Sequence, residues 1–288
     1  MTKPSDWVAG ARPRTLPAAV VPVLVGTAVA SAEGRVIWWR SALALVVSVA
    51  LQVGVNYAND YSDGIRGTDA ARVGPVRLVA SALAKPKTVK RAAWLSFGVA
   101  GLAGLALALV TSPWLLLVGA MSIAAAWFYT GGPRPYGYAG FGELFVFVFF
   151  GLVAVVGTAY VSLDRVTGLA LVAAAPVGLL IVSLLVVNNL RDIVTDGAAG
   201  KHTLAVRMGD RRTRQLYVAC LAGAFAFALA TAVSRHFAAL ALAAVVAAVG
   251  PGRIVLGGAK GPRLIAVLAM TGRLVLAFGA LLALGIAL

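Results

Sequence analysis

The chain is poor in charge and poorest in acid. Of its 288 residues, 12% are Asp, Glu, Lys or Arg, and ten are acidic. A mean hydropathy of +0.93 with 61% hydrophobic residues excludes a water-soluble globule, in which about a quarter of residues are charged. The single cysteine, Cys220, excludes an intramolecular disulfide and offers no thiolate metal cluster; in its apolar run it packs as a small hydrophobe. The two histidines, His202 and His236, fall in connecting segments. The opening MTKPSDWVAGARPRTLP has charges and prolines where a signal peptide needs an apolar core, so the first apolar helix is expected to stay in the mature chain. No stretch is polar enough for a soluble domain, and residues 1–288 read as one membrane domain.

Long apolar runs are what the sequence has in abundance. A hydrocarbon core of ~30 Å takes ~20 helical residues to cross, and runs near that length occupy 17–33, 38–58, 91–111, 113–130, 142–163, 168–190, 215–233, 236–250 and 264–288. The expectation is an all-α polytopic bundle of about nine transmembrane helices with an internal four-helix repeat and cytoplasmic cap loops. The eighth run is short and meets Pro251 and Gly252 at once. Of the 25 Lys and Arg, twenty lie on the N-terminal tail and the connections of one face, and four (Arg35, Arg40, Arg165, Arg235) on the other. The positive-inside rule makes the richer face cytoplasmic. The net charge of +15 therefore reads as topology, with part of it available to an anionic substrate, and no nucleic-acid partner is expected. Trp38 and Trp39 read as outer-interface anchors. Arg273 falls inside the last span, where it needs a structural partner or a route to the interface.

The few acids are concentrated. NYANDYSDGIRGTD (56–69) and NNLRDIVTDGAAGK (188–201) look like a degenerate repeat: each offers an Asn, spaced Asp residues, a Gly and a charged residue, and each opens a basic loop. Duplicated membrane halves commonly place their site at the repeat interface. Residues four apart on a helix share a face, so Asn59 with Asp63, and Asp192 with Asp196, form paired oxygen faces. Such hard ligands suit magnesium, which takes one or two carboxylates, waters and substrate phosphate oxygens, with manganese as a substitute. Two opposed faces can hold a diphosphate between metal ions while nearby Arg and Lys contact the phosphates. The plainer reading is a pair of solvated helix ends. Against it, six of the ten acids (Asp60, Asp63, Asp69, Glu143, Asp192, Asp196) gather at cytoplasmic helix ends.

A third stretch, YTGGPRPYGYAGFGE (129–143), brings Tyr129, Tyr136 and Tyr138 to the same side. Their π faces can shield a carbocation and keep out water, or form an interfacial tyrosine belt. Glu143 either caps the next helix or orients Arg134.

Together these residues resemble the UbiA superfamily of intramembrane prenyltransferases. GARPRTLPA, NYANDYSDGIRGTD, VGPVRLV, WFYTGGPRPYGYAGFGELFVFVFFG and NNLRDIVTDGAAGKHTLAVRMGD are similar to its actinobacterial menaquinone-pathway branch, over nearly the whole chain. The family's first motif often reads NDxxDxxxD. Here Asn59, Asp60 and Asp63 match, Gly67 holds the last place, and Asp69 follows two residues later. The resemblance implies magnesium held by Asn59, Asp63, Asp69, Asp192 and Asp196, and catalytic roles for Asp60, Asp63, Asp192, Tyr136 and Tyr138. It implies substrate contacts from Asn56, Asn59, Arg66, Arg77, Arg134, Asn188 and Lys201; Arg134 and Lys201 can equally be interfacial anchors. The implied reaction moves a polyprenyl group from polyprenyl diphosphate to 1,4-dihydroxy-2-naphthoate with loss of carbon dioxide, in the cell membrane, with the lipid bilayer around the tail and the site on the cytoplasmic side. Homogentisate, 4-hydroxybenzoate or a phosphosugar are the alternative acceptors. A secondary transporter, also built from repeats, would place ionisable groups near mid-membrane, whereas these sit at one face.

Overall fold

The computed structural model describes residues 2–68 and 77–288, which contain no strand. The helices are α1 (Pro4–Ala11), α2 (Pro17–Ala32), α3 (Trp38–Arg66), α4 (Pro86–Val110), α5 (Trp114–Phe128), α6 (Gly142–Leu163), α7 (Gly168–Ala198), α8 (Leu204–Ser234), α9 (His236–Leu256) and α10 (Pro262–Ala287). Each expected apolar run falls on one of α2 to α10, and the chain is an integral membrane protein.

The spans are less uniform than nine equal crossings. Seven helices, α3, α4 and α6 to α10, are individually long and apolar enough to cross. Residues Pro4–Thr15 and Pro17–Ala32 qualify as a pair bent by 51°. Helix α5 has 15 residues, about 22 Å of rise, and falls short of the ~30 Å core.

Helices α3 and α7 run on to Arg66 and Ala198, well past the apolar runs that define them, and α8 starts at Leu204, ahead of its run. The reason is burial. Asn56, Asn59, Asp60 and Asp63 on α3, and Asn189, Asp192 and Asp196 on α7, are all buried, so these polar turns are packed helix and not solvated ends. A reading by apolar content stops where the helix changes from lipid-facing to site-facing.

Helix α3 pairs with α4, and α7 with α8, as two long hairpins that carry the two acidic motifs, while α10 packs along α2. Lipid tails are as apolar as the side chains, so helix association in a bilayer depends on close packing at small residues. On α6, a Cβ at Gly151 would stand 2.7 Å from the Cα of Gly178 on α7, so the backbones nearly touch. The same part of α6 widens into a π-helical turn, Phe147–Val153. That turn gives Gly151 to the helix contact and presents Phe149, Phe150 and Val153 to an internal cavity. Trp38 is 72% exposed at the start of α3, and Arg273 is exposed on α10.

Candidate active site

The cavity has a volume of about 1030 Å³ and its lining comes from segments between Ala9 and Ala269. At one end stand Asn59, Asp63, Asn188, Asp196 and Lys201; at the other, Ala44, Leu107, Leu115 and Val161. Along α3, Asp63 to Ala44 is about 28 Å. The chamber thus has a charged head and a long apolar body.

At the head, Lys201 joins the two motifs. Its Nζ lies 3.2 Å from Asp63 Oδ1 and 4.0 Å from Asp196 Oδ1, with all three residues buried. Gly200, in the left-handed region at φ 72°, turns the chain after α7 so that Lys201 points back over the helix it has just left. Tyr138 donates to Asp63 Oδ1 at 2.6 Å, and the Lys201 ammonium sits 4.9 Å from the centre of that tyrosine ring. Asn59 accepts from Thr130 Oγ1 at 2.8 Å. Asn188 accepts from Arg191 at 3.0 Å.

The tyrosine segment folds against this head. Tyr136 donates to the Ala125 carbonyl at 2.8 Å and stacks on Phe145 at 4.0 Å between ring centres; Tyr129 meets Tyr136 edge-on. All three tyrosines line the cavity. Burial pushes each phenol up, joined at Tyr129 chiefly by Glu143 and at Tyr138 by Asp63, so all three are neutral at physiological pH. Tyr138 is therefore a proton donor toward Asp63. It does not serve as a base.

Several expected site residues do other work in the structure. Asp60 is fully buried and is not among the lining residues; its two oxygens accept from the Leu78 and Val79 amides at 2.8 and 3.0 Å. Helical spacing explains this, since Asn59 and Asp63 share a face that Asp60 does not. Arg66 is exposed, donates to the Thr130 and Gly132 carbonyls, and braces the tyrosine segment from outside. Arg134 is exposed and away from the lining. Glu143 accepts from Asn189 Nδ2 at 3.0 Å, so its partner is on α7 and is not Arg134. Asp192 is buried and takes both Nε and Nη2 of Arg191 at 2.7 and 2.6 Å, leaving Arg191 as the member of that pair on the cavity wall. Asn56 lines the cavity and spends its amide group on the N-terminal turn, donating to the Ala11 carbonyl at 2.9 Å and Thr15 Oγ1 at 3.0 Å. Arg77 is buried in the wall. Asp69 lies outside the described residues.

Arg12, Arg14, Arg191 and Asn189 also stand on the wall, and motif spacing did not single them out as site residues. The signal available for the first two was GARPRTLPA, whose two arginines precede a proline-started helix.

The head suits a magnesium ion by the chemistry of its donors. Two carboxylates and two carboxamide oxygens converge there, all hard, and no nitrogen or sulfur ligand competes among the described lining residues. No group of three or more His, Cys, Asp and Glu forms a protein cage among the described residues. That arrangement fits an ion that completes its shell with water and substrate phosphate.

The UbiA prenyltransferase family model matches residues 19–256. The chain belongs to this family. Among relatives, it is 54% identical to the 1,4-dihydroxy-2-naphthoate octaprenyltransferase of Mycobacterium tuberculosis over 268 residues, covering 93% of this chain and 92% of the relative. It is 39% identical to the Escherichia coli protein of the same name, covering 77% and 74%. Its fold is similar to that of a UbiA homologue from Archaeoglobus fulgidus bound to GPP and Mg2+, with a TM-score of 0.70, 14% identity, and 96% and 99% of the two chains covered. The apo UbiA homologue from Aeropyrum pernix gives 0.68 at 17% identity, covering 99% of this chain and 98% of that one.

Proposed function

We propose that this UbiA-family enzyme transfers a polyprenyl group from polyprenyl diphosphate to 1,4-dihydroxy-2-naphthoate with decarboxylation. The observation that carries the reading is Lys201 held between Asp63 and Asp196: two acidic motifs from opposite halves of the chain meet at one cation, at the head of an apolar chamber. The names of the similar mycobacterial and Escherichia coli proteins support the choice of acceptor.

Magnesium, with manganese as a substitute, would be held by Asp63 and Asp196 with Asn59 and Asn188 beside them, and would supply charge neutralisation for the departing diphosphate. Asp192 would act through Arg191, and Asp69 would add a further ligand. Lys201, Arg77 and Arg191, all on the cavity wall, would contact phosphate oxygens, where charge grows as the bond breaks. The allylic C–O bond breaks with its electron pair going to the diphosphate. The electron-rich ring carbon bearing the carboxylate then forms the new C–C bond, and carbon dioxide leaves its electron pair behind to restore the aromatic ring. Tyr129 and Tyr136 line the space next to the head, so their π faces stand where a cation needs shielding from water. The apolar body from Phe149 to Leu107 receives the tail.

Segments from Ala9 to Ala269 share the wall, which favours a single domain over 1–288. The Lys and Arg asymmetry favours a cell-membrane protein with this head on the cytoplasmic side. The experiment is to incubate purified protein with a panel of aromatic acceptors and prenyl diphosphates and weigh the products. Prenylated naphthoquinol formed with magnesium and not in chelator is expected; prenylation confined to another acceptor would overturn the reading.

A further inference from the structure

Arg12 holds a buried guanidinium nitrogen that no described residue pairs. It lines the cavity, and its Nη2 is out of contact with solvent yet has no hydrogen-bond partner among the described residues. A guanidinium nitrogen stripped of water and left unpaired is costly, so the position calls for an anion that arrives from outside the chain.

The surroundings hold Arg12 in place. Its φ of 53° is in the left-handed region, uncommon for a residue with a side chain, and the turn is tied from both sides. Asn56 donates to the Ala11 carbonyl at 2.9 Å and to Thr15 Oγ1 at 3.0 Å, Gln52 donates to Thr15 Oγ1 at 3.0 Å, and Thr15 Oγ1 donates to the Arg12 carbonyl at 2.9 Å. Among the described acids, Asp6 accepts from the Lys3 amide, and Asp60 from the Leu78 and Val79 amides.

Position then selects the ligand. Asn56 and Asp63 are seven residues apart on α3, two turns or about 10 Å. The turn that carries Arg12 therefore meets α3 about two turns deeper than the carboxylate head. The head has cations of its own in Lys201 and Arg191, so a diphosphate bound there does not need Arg12. The allylic carbon stands between the diphosphate and the acceptor, so an acceptor that attacks from the deeper side carries its carboxylate, on the reacting ring carbon itself, below the head and on the side of the α1 turn. We propose that Arg12 binds the carboxylate of the aromatic acceptor. This rests on the naphthoate reading given above.

The test compares wild type with Arg12→Gln and Arg12→Lys in detergent. It measures KM for each substrate and the thermal shift produced by 1,4-dihydroxy-2-naphthoate or by its carboxylate-free analogue 1,4-dihydroxynaphthalene. Arg12→Gln should raise the acceptor KM by roughly 10- to 100-fold, the range for losing a charge-assisted hydrogen bond, leave the prenyl diphosphate KM unchanged, and abolish the naphthoate thermal shift. Arg12→Lys should recover part of both. The analogue should shift wild type and Arg12→Gln equally. A rise in the prenyl diphosphate KM instead, unchanged constants for both substrates, or an equal loss with the analogue would each overturn the proposal. Failure of wild type to prenylate the naphthoate is a separate result, and it overturns the functional reading together with this inference.

Discussion

Tyr138 donates its phenol proton to Asp63 at 2.6 Å while its ring lies under the Lys201 ammonium. One side chain thus orients an acid and cushions a base from opposite halves of the chain. Replacing Tyr138 with Phe keeps the π face and removes the hydrogen bond, which is worth about 1.5–3 kcal/mol to a charged acceptor. The expected result is a tenfold or greater loss of kcat/KM with the fold intact. Tyr138→Leu should lose more and release free prenyl alcohol beside the product. An alcohol ratio and kcat equal to wild type in both variants would return this tyrosine to a membrane-anchoring role.

The pH dependence has a definite sign. Burial raises the Tyr138 phenol above its ordinary value, so the folded protein keeps its proton after an unfolded chain, titrating near ~10, has begun to lose it. The group's contribution to stability is full below about pH 10 and falls above it. Between pH 7 and 10 the rate should show no alkaline limb from Tyr138. A phenolate absorbance step in that range that disappears in Tyr138→Phe would contradict the assignment.

Asp63→Ala and Asp196→Ala each remove one of the two carboxylates beside Lys201. Turnover should fall by at least about a hundredfold, as expected when several kcal/mol of charge stabilisation are lost, while melting temperature in detergent changes little. Chelator should abolish wild-type activity and magnesium should restore it. Full turnover in chelator would remove metal from the reaction.

Asp60→Ala should behave differently from Asp63→Ala. It leaves two backbone amides without an acceptor, that of Leu78 buried and that of Val79 half-buried, at up to about 1–3 kcal/mol for the buried one, so thermal stability should drop together with activity. Asp60→Asn, which keeps an acceptor oxygen, should recover part of both. Loss of activity at wild-type stability in Asp60→Ala would instead place this acid among the substrate-facing groups.

A packing prediction follows from Gly151. A Cβ there meets the backbone of Gly178 at 2.7 Å, and backbone cannot rotate away. Gly151→Val should cost about 1–3 kcal/mol through overpacking and distort the π-helical turn that shapes the wall. A melting curve unchanged from wild type would show that α6 and α7 have slack at this crossing.

Much of the fold was written in the apolar runs, because length and hydrophobicity alone decide whether a helix can cross. The shared face of Asn59 and Asp63, both on the cavity wall, was also legible, because helical spacing is local; the expected pairing of Asp192 with Asp196 was not met in the same way, since Asp196 lines the cavity while Asp192 is taken by Arg191. What was not legible depends on contacts distant in sequence. The acceptor role of Asp60 is defined by amides 18 and 19 positions later, Arg66 finds its carbonyls on the far side of α5, and Arg191 claims Asp192 by a rotamer that spacing cannot specify. Arg134 sits in a motif with two prolines and several glycines, a context that marks a turn but not which way its side chains point. Arg12 was hidden because a basic residue before a first span reads as a topology signal.

The brevity of α5 has an effect at the other end of the cavity. A helix of 15 residues is about 8 Å shorter than one of ~20 residues, so the segment beginning at Tyr129 leaves α5 that much sooner. Helix length here acts as a stop: it decides the level along α3 at which Tyr138 meets Asp63. One extra turn in α5 would raise the tyrosines by about 5 Å and carry Tyr138 beyond reach of Asp63, without altering a single residue that touches either substrate.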